Sequence, residues 1–172
     1  DENLHVYIIT EIKGDELYIR HENDINVRGA EKERVYVTMK DIKSLSTSSA
    51  GDIIGETPVK SDNLELNASS AGDIKLEVYA KEIKVDASSS GDITLNGETD
   101  MIVADLSSAG DLNAYNLKTK EANVTVSSAG DADIFVTDKL TARSSSAGDV
   151  NYKGDPKIVD AHSSSAGGIH KK

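Results

Sequence analysis

Six aspartates recur along this chain at near-constant intervals: Asp52, Asp73, Asp92, Asp111, Asp131 and Asp149. Each closes the phrase Ser-Ser-Ala-Gly-Asp, with Ser90 replacing alanine once, and a seventh copy carries Gly168 where the acid would stand. Carboxylates in a row can do two kinds of chemistry. They can hold hard cations, calcium first, which take several oxygen ligands. A pair set roughly 5–10 Å apart in unlike environments can also cleave a glycosidic bond. Repetition makes these six acids equivalent, so nothing divides them into acid and nucleophile, and no catalytic residue is expected. One carboxylate per repeat supplies few ligands, and the phrase differs from the nine-residue repeat of calcium-binding rolls. The reading is a solvated row bonded to serine hydroxyls or turn amides. Bound calcium is the alternative, and no other cofactor is expected.

What positions such a row is a repeat. The glycines Gly51, Gly72, Gly91, Gly110, Gly130, Gly148 and Gly167 lie 21, 19, 19, 20, 18 and 19 residues apart. That period is too short for a helical pair and suits one coil of a β-solenoid. Residue parity agrees. Ala68, Leu66 and Leu64 lie at even steps before Gly72, and Ala87, Val85 and Ile83 before Gly91. Ile74, Leu76, Ile93 and Leu95 continue the parity after the glycines. Odd positions carry Glu65, Asn67, Lys84, Asp86, Asn123 and Thr125. Alternation of this length is a strand with one buried face. The chain is therefore read as all-β and as one domain over residues 1–172. It is a single-stranded parallel β-helix of about seven coils of ~19 residues spanning 48–172, preceded by a β-strand cap over 1–47.

Glycine falls on the inward parity, where a corner leaves no space for a side chain and an unusual φ is expected. The serine two residues earlier has the same parity. Ser49, Ser70, Ser89, Ser108, Ser128, Ser146 and Ser165 are thus expected to form an inward ladder of paired hydroxyls, since an unpaired buried hydroxyl costs about 1–3 kcal/mol. Neighbouring aspartates on coils about 4.8 Å apart repel by roughly 0.9 kcal/mol even in water. The segments Glu56–Asn63, Tyr79–Glu82, Asn96–Met101 and Lys153–Lys157 read as turns that absorb differences in coil length. Ahead of the repeat, His5–Arg20 reads as two strands about a Lys13-Gly14-Asp15 turn, and Arg34–Met39 as another.

Other side chains have quieter readings. His5, His21, His162 and His170 show no metal-ligand spacing, and His162 is outward and solvated. Arg143 faces outward and should pair with a carboxylate on an adjacent coil. Ser48, Ser69, Ser88, Ser107, Ser127, Ser145 and Ser164 form an outward stripe of small residues. Ice-binding solenoids use such arrays but avoid a charged row, whereas packing against a second protomer would suit it, so a homo-oligomer is one expected partner state.

Composition excludes several classes. Thirty acidic against nineteen basic residues give a net charge of −11, which disfavours nucleic acid and anionic membrane surfaces. No cysteine is present, which removes disulfides, zinc thiolates and cysteine nucleophiles. No run approaches the ~20 apolar residues needed to span a bilayer, so no membrane insertion is expected. The chain starts at Asp1 rather than Met and is read as a processed or trimmed product.

Two stretches, residues 1–20 and Arg34–Ile53, together with the recurring Ser-Ser-Ala-Gly-Asp, resemble the autotransporter adhesin head domain family, also called the head GIN domain. The resemblance implies a right-handed parallel β-helix in exported envelope or surface proteins of Gram-negative bacteria, and an adhesive role. It carries no catalytic or binding residues across to this chain. Members have a further stretch ahead of the part matching Asp1, so a signal or lipoprotein anchor is expected to be missing here. The function expected is a non-catalytic surface or periplasmic binding module that contacts glycan or matrix protein. A purely structural spacer of the envelope and a polysaccharide-active enzyme are the alternatives.

Overall fold

A chain with alternating aliphatic side chains must both bury one face and satisfy its backbone N–H and C=O groups, and stacking coil upon coil does both. The computed structural model describes residues 8–22 and 33–172. The chain divides into two compact units, Asp1–Thr38 and Met39–Lys172.

The first unit contains β1 (Ile8–Lys13) and β2 (Glu16–His21), paired antiparallel with Lys13 opposite Glu16. Gly14 has φ +63, as the first central position of a type II′ hairpin turn requires. The hairpin thus forms where expected from Ile8 onward, while residues 5–7 lie outside the described residues. The strand expected at Arg34–Met39 does not form. Its alternation is genuine, yet no ladder partner meets it among the described residues, and Val35, Tyr36 and Val37 stay exposed. Alternation without a partner does not make a strand.

The second unit is a parallel β-solenoid of about seven turns. Its strands are β3 (Ser44–Thr47), β4 (Asp52–Ile54), β5 (Val59–Ser69), β6 (Asp73–Ser88), β7 (Asp92–Ser107) and β8 (Asp111–Val126). They continue as β9 (Asp131–Ser144), β10 (Asp149–Lys153), β11 (Ile158–Ser163) and β12 (Gly168–Lys171). Residues 44–47 already form a rung, with Leu45 opposite Leu66, so the stack begins ahead of Ser48. Like side chains then fall into columns. One runs Leu64, Ile83, Ile102, Ala122, Leu140, and another Ile74, Ile93, Leu112, Ala132, Val150. Nearly all are exposed by no more than 2%, so the interior is filled by aliphatic side chains of adjacent coils.

Each central coil is one 16-residue strand folded over a two-residue turn, not a set of short strands joined by loops. Tyr79–Glu82 and Asn96–Met101, expected as turns, lie inside β6 and β7. The backbone bends there without leaving its ladder, and the bend appears as a step in parity. Burial runs 74, 76, 78 and resumes at 83, 85, 87. Only Gly154–Lys157 breaks the strand as foreseen, and Gly55–Pro58 does so for part of its segment. Coil length is absorbed by bulges. The β7–β8 register shifts between Thr94 and Asn96, and the β8–β9 register between Ala114 and Lys118 and again between Thr119 and Glu121.

Candidate functional site

The recurring phrase builds the sharp corner, though not with the residues first assigned to it. In every copy the second serine and the following alanine or serine have φ between +50 and +64, from Ser49 and Ala50 to Ser165 and Ala166. The glycine N–H then donates to the first serine's carbonyl, as Gly72 does to Ser69 at 3.0 Å. Two central residues at positive φ closed by this bond make a type I′ turn. The unusual φ therefore belongs to Ser-Ala and not to the glycine. The expected inward hydroxyl ladder is overturned for the same reason. Ser49, Ser70, Ser89, Ser108, Ser128, Ser146 and Ser165 sit at the turn apex and are exposed, because left-handed backbone breaks the alternation on which parity counting relies. The expected lack of space at glycine is found: a Cβ on Gly91 would lie 2.4 Å from the Ala68 carbonyl oxygen.

The turns are locked to one another through backbone. Ala71 N–H donates to the Ser89 carbonyl and Ser90 N–H to that of Ser108, each at 3.1 Å, and the pattern continues along the stack. Inward hydroxyls occur one step earlier. Thr47 Oγ1 donates to the Gly51 carbonyl at 2.5 Å, and Ser144 Oγ to that of Gly148, each closing its own turn from inside.

Beside the corner the aspartates stand in register. Asp52, Asp73, Asp92, Asp111, Asp131 and Asp149 pair rung by rung and end at Gly168. At one rung a main-chain amide meets the row, Asp131 N–H donating to Asp111 Oδ1 at 3.0 Å, whereas the amides of Asp73, Asp92, Asp111 and Asp149 donate to glycine carbonyls of the preceding coil. Partial burial, then Asp111 and Asp73, pushes the Asp92 carboxyl above the usual range. Burial, then Asp111 and Asp149, does the same to Asp131, against an opposing backbone hydrogen bond. Among the described residues no three acidic or histidine side chains converge as a cation site would require.

Sequence reasoning missed a second acidic pair. Asp86 and Asp105 face each other across β6 and β7 and, with Ser88, Ser107, Thr125 and Ser127, line a recess of about 320 Å³. Burial, then Asp105 and Glu65, raises the Asp86 carboxyl. The signal was present: both acids stand on the outward parity, two residues before the outward serine stripe.

Arg143 behaves as expected. Its guanidinium grips Asp160 on the next coil with Nη2 to Oδ2 at 2.7 Å and Nη1 to Oδ1 at 3.2 Å. His162 is exposed and lies 3.1 Å from the same carboxylate. A second non-repeated cluster joins Lys153 to the rings of Phe135 and Tyr115, 5.1 and 5.4 Å from its ammonium.

A groove of about 940 Å³ lies on the flank where β5 and β6 bend, and its residues do not repeat. Tyr79 stands in it, 41% exposed, with its hydroxyl donated to Glu77 Oε1 at 3.0 Å. That bond, and the charge of Glu77 itself, raises the phenol above its ordinary value. The rungs beside Tyr79 carry Lys60 and Glu98, and Asn63, Lys43 and Lys84 line the groove further along.

Residues 1–156 match the family described as putative auto-transporter adhesin, head GIN domain. The chain belongs to this family. Among curated proteins none matches it. Solved structures share its fold. A putative adhesin from Bacteroides fragilis superposes with TM-score 0.90 at 22% identity, over 99% of this chain and 79% of that one. A putative adhesin from Parabacteroides merdae gives TM-score 0.74 at 22% identity, over 100% and 80% of the two chains. A protein from Parabacteroides distasonis, described as a putative lipid binding protein, gives 0.67 at 23% identity over 100% and 81%. Among the described residues of this head GIN domain, no helix is long and apolar enough to cross a membrane.

Proposed function

We propose that this head GIN domain is an exported, non-catalytic binding module of the cell surface or periplasm, contacting glycan or extracellular matrix protein. Membership of an auto-transporter adhesin family supports export and an adhesive role. The observation that carries the reading is the contrast between its flanks. The corner presents the same Ser-Ala-Asp chemistry coil after coil, whereas the bent flank gathers non-repeated side chains around a groove. A spacer needs only the first, and recognition needs the second. The corner acids recur on equivalent rungs in one register, so their placement sets none of them apart as acid or nucleophile.

The rigid envelope spacer is the second reading, favoured by the unbroken backbone ladder along the corners. Lipid binding, suggested by the description of one structural neighbour, fits this chain less well. Its interior is filled by aliphatic columns, and an acyl chain would have to lie outside. The test is binding of the labelled chain to an array of glycans and matrix proteins, with and without calcium. Saturable binding to one class supports the module, and loss of that binding on chelation would bring the aspartate row into it. Silence across the array favours the spacer.

A further inference from the structure

We infer that the groove beside Tyr79 is the ligand site, and that its ligand is a neutral oligosaccharide. The assignment rests on the binding-module reading and names the place and the chemistry.

A sugar offers two things to a protein: a ring face with weakly polar C–H groups, and an equatorial fringe of hydroxyls that both donate and accept. The groove meets both. The Tyr79 ring is exposed and tethered through its hydroxyl to Glu77, so stacking costs little further ordering of the side chain. The register puts Lys60 on one neighbouring rung and Glu98 on the other, a donor and an acceptor flanking one aromatic platform. Lys84 stands opposite Glu65 in the same way. At about 940 Å³ the groove lies near the top of the range of roughly 300–1,000 Å³ for small-molecule sites, which suits a short chain of sugars rather than one.

Charge selects among glycans. Lysines and carboxylates interleave along the groove, and Lys81 is already paired with Asp62 at 2.9 Å. A sulfated or uronic-acid polymer would meet five carboxylates against four lysines and would be disfavoured. A polyhydroxyl ligand without charge pairs with both signs.

The test is calorimetric titration of the full chain with neutral tetrasaccharides of glucose, galactose, mannose, xylose and N-acetylglucosamine, beside a heparin tetrasaccharide. Saturable binding to a neutral tetrasaccharide is expected. Tyr79→Ala should weaken it about tenfold or more, the scale of a lost aromatic contact with its buried area, whereas Tyr79→Phe stays within about twofold. The melting temperature of both variants should match the parent, since the ring is a surface group. Silence toward every neutral tetrasaccharide, preference for heparin, or binding indifferent to Tyr79→Ala each overturns the assignment. If the chain binds a matrix protein on the array and Tyr79→Ala leaves that intact, the binding-module reading stands and the groove assignment alone falls.

Discussion

Replacing Gly91 by alanine tests the account of the corner most directly. A Cβ at this position meets the backbone of the preceding coil, with the Ala68 carbonyl oxygen at 2.4 Å, its carbon at 2.5 Å and the Ser69 nitrogen at 2.8 Å. None of these is the flexible end of a side chain. Ordinary contact begins at 3.4 Å, so the rungs would have to part by about 1 Å. That strains two bonds that tie this corner to the one before it, Asp92 N–H to the Gly72 carbonyl and Ala71 N–H to the Ser89 carbonyl, both 3.1 Å. Two hydrogen bonds weakened by about 0.5 kcal/mol each, with overpacking of about 2 kcal/mol, give a loss of about 3 kcal/mol. For a chain of this length that lowers the melting temperature by about 6–12 °C. Gly110 faces the same geometry, with Ala87 oxygen at 2.3 Å, and should behave alike. At Gly72 the contacts are longer, with the Thr47 Cγ2 methyl at 2.9 Å and the Ser48 nitrogen and Ser69 oxygen at 3.1 Å, so alanine there should cost less, about 1–2 kcal/mol. Thermal and urea unfolding of the three variants would rank them. Equal losses at Gly72 and Gly91, or a silent Gly91→Ala, would refute the close-approach argument.

Four further outcomes follow from other features. Ser90→Gly should stabilise by about 0.5–1 kcal/mol in urea unfolding, because leaving a left-handed residue without a Cβ relieves about 1–2 kcal/mol while the added chain entropy costs about 0.5–1. Asp92, Asp131 and Asp86 bind protons more tightly folded than unfolded, so their contribution to stability should grow as pH falls from neutral through their raised pKa values toward 3.8. Asp92→Asn should stabilise at pH 7 and flatten that rise in melting temperature. Asp155 and Asp160 have the opposite sign, lowered first by hydrogen bonds from Lys171 and Arg143, and should cost stability only below the ordinary carboxylate range. Arg143→Ala should lower the melting temperature only slightly, since the pair with Asp160 is solvent-exposed and screened, and hydrogen exchange should quicken over Ile158–Ser163.

The coil period, the inward columns and the aspartate register were legible because stacking repeats each side chain over its copy. Leu66 and Val85 declare the same column without any structure. The corner was half legible. Glycine's close approach follows from its position, but Ser70 and Ala71 at positive φ keep the count of residues even while turning their side chains outward, and parity cannot see that. The bends in β6 and β7 were read as loops because Tyr79–Glu82 and Asn96–Met101 carry loop-like residues. Their continuity depends on partners a coil away. The Tyr79 groove was invisible for the same reason: Lys43, Lys60, Tyr79 and Glu98 come from successive coils and share no motif.

The two flanks of a coil answer differently to a change in length. At the corner every turn is bonded to the next through main-chain atoms, so an inserted residue there would unseat its neighbours. Across the molecule, β8 carries residues that β7 and β9 lack and still keeps its place through bulges between Ala114 and Glu121. One edge acts as a bound spine, and the other can gain or lose letters from page to page. New surface can therefore arise on the bent flank by insertion and substitution, with the spine, and the core it sets in register, left unaltered.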